Sequence, residues 1–388
     1  MLSDRTMAYA EKVTTALLGV DAFYRAESGD EEGLVVLNMA ARTHQPEPYK
    51  SYSEAQQQFG EMKTQAAGLP EPDRQRYYDQ LCHSTLAFIQ WRARGLPFTD
   101  QLSGFLHISA EPAPDAELDR LRGQMRSLLN QMGYTGNLTA QFEAWEARNR
   151  VPPDEVPGLL NELMDEAWDR TEQRLHIPAD KSDGMQVVAV SGVPFNARCN
   201  YLARKVELNV DPVLTRPGLK HLTVHEGYPG HYVQFKLRET WYHSGLAPAD
   251  GLLSVVNTAN SCTFEGIADN GLHLLDWIET DDDRLQELLS RYRSGIGTGA
   301  AWRLHALGWS REQTSDWLRS KSLAGGEGWV ANRMAFISAP ERAVLIWSYW
   351  WGQAVVTPAY LRVPEECRSE FLRYLYGRMH SNQTVGMF

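Results

Sequence analysis

Apolar residues recur at intervals of three and four through five stretches in the first half of the chain: 5–26, 53–66, 71–92, 115–131 and 154–174. That spacing is the period of a helix with one buried face, and it leaves little room for a sheet before residue 180. Turn clusters at Gln45-Pro-Glu-Pro, Leu69-Pro-Glu-Pro and Val151-Pro-Pro-Asp separate these stretches, because proline lacks an amide hydrogen and pushes the residue before it out of helical geometry. The period changes between 184 and 210, where MQVVAV and RKVELNV run in lengths suited to strands. A small β-hairpin is expected there, with Val206, Leu208 and Val210 facing the core and Lys205, Glu207 and Asn209 facing outward. Helical spacing resumes after Pro212 and Pro217 and continues to the end, with Ser310 and Gln313 placed as a capping box. The expected fold is mainly α, with residues 1–180 as helical scaffold and 181–388 as the region that carries the chemistry, together one integrated domain.

Composition narrows the partners. Lys and Arg number 38 against 49 Asp and Glu, a formal charge of −11 over 388 residues, so phosphate backbones and anionic membrane surfaces are repelled. Neither nucleic acid nor membrane is an expected partner. Asp4, Glu11, Lys12 and Asp21 interrupt the N-terminal stretch, which denies it the apolar centre of a signal peptide. The cysteines Cys82, Cys199, Cys262 and Cys367 stand far apart with no CxxC pair, as reduced thiols would. A cytoplasmic location is expected on these grounds.

The chemistry is concentrated in residues 221–235, HLTVHEGYPGHYVQF, which set His225, Glu226 and His231 within seven positions. In the HExxH helix of zinc hydrolases the two histidines are four apart and share a face. Here they are six apart, which on a regular helix leaves them about 120° from alignment and unable to grip one ion. Pro229 and Gly230 offer the remedy: proline disrupts the turn above the His225 carbonyl and glycine accepts unusual geometry. A widened turn of the π type at Tyr228–Gly230 is therefore expected to return His231 to the face of His225. Glu226 then stands beside the metal as general base, taking a proton from the attacking water. A third ligand is expected from the next long helix, as in gluzincins, and Glu265 in CTFEGIADN is the best placed.

The HEGYPGH run followed by an EG pair resembles the zincin-like bacterial proteins of domain-of-unknown-function family 885, whose signatures are HExxPGH and EGWALY. The resemblance extends through Leu304-His-Ala-Leu-Gly-Trp-Ser and Trp351-Gly-Gln-Ala, covering about residues 185–388. It implies a gluzincin-like helical metallohydrolase in which His225, His231 and Glu265 hold zinc and Glu226 is the base. The chain departs from the family at EGIADN, where Ile267 and Asn270 replace a Trp and a Tyr. It departs again at WWGQAVVTP, where Thr357 and Pro358 stand in place of a Tyr and a cation. The donor that would stabilise the tetrahedral oxyanion is left among His305, Tyr349 and Tyr360.

The function expected is hydrolysis of a peptide or other amide bond by zinc. The alternative is an inactive zincin-fold protein with a structural metal and a binding role; a di-metal carboxylate oxidase would need Glu-x-x-His pairs, which do not surround these ligands. The strand 204–210 is a candidate edge for pairing with an extended substrate, with Asn209 as a polar contact. Seven of the twelve tryptophans follow residue 300 and are expected to fill the core between C-terminal helices. Asp281-Asp-Asp is expected at a helix N-terminus, His221 and His243 near the site or on the surface, and His273 on the helical face of Glu265.

Overall fold

Helices form where the three-four spacing predicts them, and local chemistry sets their ends. Asp4–Ser28 begins under the Ser3 hydroxyl, which accepts from the Thr6 amide, and stops at left-handed Gly29. Tyr52–Ala66 is capped in the same way by Ser51, and Pro72–Arg94 and Val156–Leu175 each carry a proline in the first turn, where its missing N–H costs nothing. Asp115–Gln131 completes the five expected helices. Both later signals also hold: Ser310 and Gln313 form a reciprocal capping box, and Asp281–Asp283 opens the 25-residue helix Asp281–His305. The computed structural model describes residues 2–29, 33–46, 49–193 and 195–388, so Glu47 and Pro48 of the first turn cluster lie outside the described residues.

The described residues form five strands: β1 (Val35–Asn38), β2 (Gln186–Val190), β3 (Ala197–Asn200), β4 (Lys205–Asn209) and β5 (Leu253–Val255). β1 and β5 form a two-stranded antiparallel sheet, too short to leave a periodic signal. The second sheet has the order β2-β4-β3, with β2 parallel and β3 antiparallel to β4. This corrects the expected hairpin: the two strands read from the sequence run parallel, and the hairpin is β3–β4. The 14 residues separating Val190 from Lys205 are enough to include a third strand, which takes the far side of β4.

The central position of β4 has two consequences. Val206 and Leu208 are buried and Lys205 exposed, as the alternation predicts, but Asn209 is also buried. Its amide donates to the carbonyls of Val193 (3.2 Å) and Phe195 (2.9 Å), satisfying a polar group that burial would otherwise penalise. A strand flanked on both sides also has no unpaired backbone edge, so 204–210 is not a template for an extended substrate.

The chain divides into two compact units, and neither is a continuous half of the sequence. The first comprises Met1–Ala110, Gln234–Gly266 and Ala354–Phe388, the second Glu111–Val233 and Ile267–Gln353. In the first, the Arg74 guanidinium is fully buried beside Asp73 (3.0 Å) and over the ring of Tyr77. In the second, β3 and the helix Val156–Leu175 pack against the first half of the HEGYPGH segment, and the long helix Asp281–His305 packs against the helix Arg216–Leu222 that leads into it. Trp329, Trp347 and Trp350 are core residues there, while Trp302, Trp309, Trp317 and Trp351 are half-buried.

Candidate metal centre

The HEGYPGH segment is built from its anchors inward. The helix Arg216–Leu222 starts under the Thr215 hydroxyl with Pro217 in its first turn, and the buried Lys220 ammonium pairs with Asp283 at 2.9 Å. Past Leu222 the chain makes one π-helical turn, Thr223–Gly227, closed by the Tyr228 amide donating to the Thr223 carbonyl five residues back. It then breaks at Tyr228–Gly230, where the Tyr228–Pro229 peptide is cis, and a new helix runs from His231 to His243. The widening expected at Tyr228–Gly230 lies one step upstream, and Pro229-Gly230 makes the break itself.

Close packing holds this shape. A Cβ at Gly230 would lie 1.9 Å from the His225 carbonyl oxygen, so no other residue fits without moving backbone. Tyr228 is buried, its hydroxyl accepts from the Met185 amide at 2.7 Å, and its ring stands edge-on to Trp168 of the helix Val156–Leu175.

The break does what a regular helix cannot. The His225 and His231 rings meet nearly at right angles with centroids 4.7 Å apart, and each has a nitrogen within 4.8 Å of one on the other. Nδ1 of His225 lies 2.9 Å from Asp269 Oδ1, which directs Nε2 to the open side. Glu226 Oε1 stands 4.0 Å from that Nε2, both side chains about 8% exposed. His221 reaches the same carboxylate from the other side, Nε2 to Asp269 Oδ1 at 3.6 Å; burial pulls its ring pKa down while Asp269 opposes the shift. His221, His225 and Asp269 thus form a second cluster with metal-ligand chemistry, but its shared carboxylate is engaged by His225 Nδ1. Burial, then the Glu226 charge, pushes the thiol of Cys199 on β3 well above its ordinary value, which disfavours the thiolate.

Glu265 is buried on the helix Ser261–Asp269, one turn before Asp269 and therefore on the same face. Sequence reasoning passed over Asp269, although a carboxylate four residues beyond a proposed ligand is a signal for it. The three expected oxyanion donors have different places. The Tyr349 ring lies 6.3 Å from that of His225. His305, at the end of its helix, bonds the Ile337 carbonyl through Nε2 at 2.7 Å. Tyr360 is packed against Phe371 and Arg368 near the C-terminus, its hydroxyl buried there. His243 is exposed, and His273 pairs with Glu287 at 2.9 Å.

His221, His225, Glu226 and Asp269 line one side of a cleft of about 220 Å³. Phe195, Asn196, Ala197 and Asn209 border it from the sheet, and Trp329, Phe336 and Tyr349 supply aromatic surface. Arg293 and Arg333, which the sequence did not single out, complete it.

No family model matches the chain, and no curated protein does. Two solved structures are similar in fold. One, described as a putative lipoprotein from Colwellia psychrerythraea, is 16% identical with a TM-score of 0.58, over 94% of this chain and 68% of that one. The other, described as a putative lipoprotein of unknown function from Shewanella oneidensis, is 13% identical with a TM-score of 0.53, over 90% of this chain and 74% of that one. At such identity the likeness is of fold alone. It corrects two expectations. Assignment to family 885 is withdrawn, since no family model matches and the similar structures carry no such description. The cytoplasmic location is withdrawn too, since the proteins that share the fold are described as lipoproteins; no helix among the described residues is long and apolar enough to cross a membrane.

Proposed function

We propose that the protein is a zinc-dependent hydrolase of peptide or other amide bonds, gluzincin-like in its ligand set, with His225, His231 and Glu265 as metal ligands and Glu226 as general base. The observation that carries this reading is the approach of the His225 and His231 rings across the broken helix, with His225 Nδ1 held by Asp269. A carboxylate behind a histidine fixes the tautomer and turns the second nitrogen outward, as in zinc sites generally. Two imidazoles and one carboxylate, all buried, match a catalytic set that keeps one position open. A bound divalent metal supplies Lewis acidity to water and to a substrate carbonyl.

The protein's own groups account for the proton traffic. Glu226 is within one water of the open side of His225 and removes a proton from water as its oxygen attacks the amide carbon. The same carboxylate returns that proton to the amine as the C–N bond breaks. Tyr349, bordering the cleft, is the donor placed to hydrogen-bond the carbonyl oxygen as it becomes negative.

The test is elemental analysis of the purified protein together with an amide-substrate screen run with and without chelator. Expected are one zinc per chain, its loss in His225→Ala, His231→Ala and Glu265→Ala, and chelator-sensitive hydrolysis. Wild-type zinc content in all three variants would overturn the ligand assignment. Zinc without hydrolysis across the screen would leave a structural metal instead.

A further inference from the structure

At the aromatic side of the cleft stand two guanidinium groups, neither of which reaches a carboxylate within ion-pairing distance among the described residues. Arg293, from the helix Asp281–His305, donates to the Ala324 carbonyl at 2.7 Å and overlies Trp329 at 5.3 Å. Arg333, from the helix Gly326–Ser338, overlies both Trp329 (5.7 Å) and Phe336 (5.8 Å), and its Nε is buried with no hydrogen-bond partner among the described residues. Glu146 also borders the cleft and its charge acts on Arg293, but its Oε1 accepts from the Gly325 amide at 2.8 Å and it closes no ion pair with either guanidinium. Burial pulls Arg333 down and takes Arg293 to about 10; a guanidinium keeps its proton in proteins at neutral pH.

Two desolvated cations on one wall, with the single Glu146 carboxylate acting on one of them from beyond ion-pairing distance, are costly unless a further anion joins them. Aromatic stacking offsets part of that cost and fixes both planes, the arrangement that suits a carboxylate. Rings connect this pair to the candidate metal centre: Tyr349 is 6.3 Å from His225 and 6.4 Å from Phe336, which Arg333 overlies. An anion at the arginines and an amide beside Glu226 would be two ends of one small ligand. The volume of about 220 Å³ is below the ~300–1,000 Å³ of drug-sized sites and suits a short one.

We infer that Arg293 and Arg333 form a carboxylate subsite, and that the substrate class is a short peptide or N-acylated amino acid with a free C-terminal carboxylate and an apolar or aromatic side chain. The cut bond in this assignment rests on the hydrolase reading above; the anion subsite does not.

The test is titration calorimetry of the full chain, stripped of metal so that no turnover intervenes, with N-acetyl-Ala-Phe and with its C-terminal amide. The free acid should bind roughly 10- to 100-fold more tightly, the range for hydrogen bonds to charged groups. Arg333→Gln and Arg293→Gln should each remove most of that preference, and Arg333→Lys should keep part of it. Circular dichroism of each variant checks the fold. Equal binding of acid and amide, binding of neither, or a full preference surviving in both folded Gln variants would overturn the subsite. Metal content, measured separately, distinguishes the two readings: acid preference without zinc in the untreated protein sinks the hydrolase alone, and zinc without acid preference sinks the subsite alone.

Discussion

Glu226→Gln separates a general base from a ligand or a structural carboxylate. The side chain is about 8% exposed and its Oε1 lies 4.0 Å from His225 Nε2, close enough to share one water with whatever that nitrogen binds. Glutamine keeps the volume and a hydrogen-bonding head but cannot accept a proton at neutral pH. General-base catalysis contributes roughly 10²–10⁴-fold, about 3–5 kcal/mol of barrier. The value of kcat/KM on an amide substrate should fall by that factor while metal content stays at the wild-type level. The variant should fold, because the substitution removes a buried charge and opens no cavity. The assay is initial-rate hydrolysis at saturating zinc, paired with elemental analysis and a thermal melt. A rate within tenfold of wild type would refute the assignment of Glu226 as base. Loss of metal would make Glu226 a ligand and move the base elsewhere.

Asp269→Asn should weaken zinc binding roughly 10–100-fold, the usual cost of losing the carboxylate behind a metal-binding histidine, because the His225 Nδ1 contact at 2.9 Å loses its charge; competition against a calibrated chelator reads this out. Gly230→Ala should lower stability by at least ~1–3 kcal/mol, the range for overpacking, and reduce zinc content, since its Cβ would lie 1.9 Å from the His225 carbonyl; thermal melts and elemental analysis check both. The hydrogen bond that the His273 ring donates to Glu287 raises the His273 pKa in the fold, so the pair stabilises while the ring is protonated, fully below the unfolded value near 6.5, and the gain is lost as pH rises through the raised folded value. Glu287→Gln should therefore cost ~0.5 kcal/mol at about pH 5.5 and almost nothing at about pH 8, a small effect because the His273 side chain is 42% exposed; melts at the two pH values decide it.

Features that depend on neighbours a few residues apart were legible in the chain alone. Helix periods, the cap at Ser310, the acidic helix start at Asp281, and the need for a distorted turn between His225 and His231 are of this kind, and all are found. Features that depend on distant partners needed the folded chain. The parallel pairing of β2 with β4 was illegible because alternation marks a strand but not its mate. Asn209 reads as an outward residue until β4 takes the centre of its sheet and buries the side chain against the Val193 and Phe195 carbonyls. His305, Tyr349 and Tyr360 look alike as donors in the sequence; only the packing of later helices ties His305 to Ile337 and brings Tyr349 beside His225. Asp269 and the arginine pair were missed for the same reason. A carboxylate or a guanidinium is ordinary on a helix surface, and it acquires chemical meaning only when the fold removes its water and sets it against an imidazole or an aromatic ring.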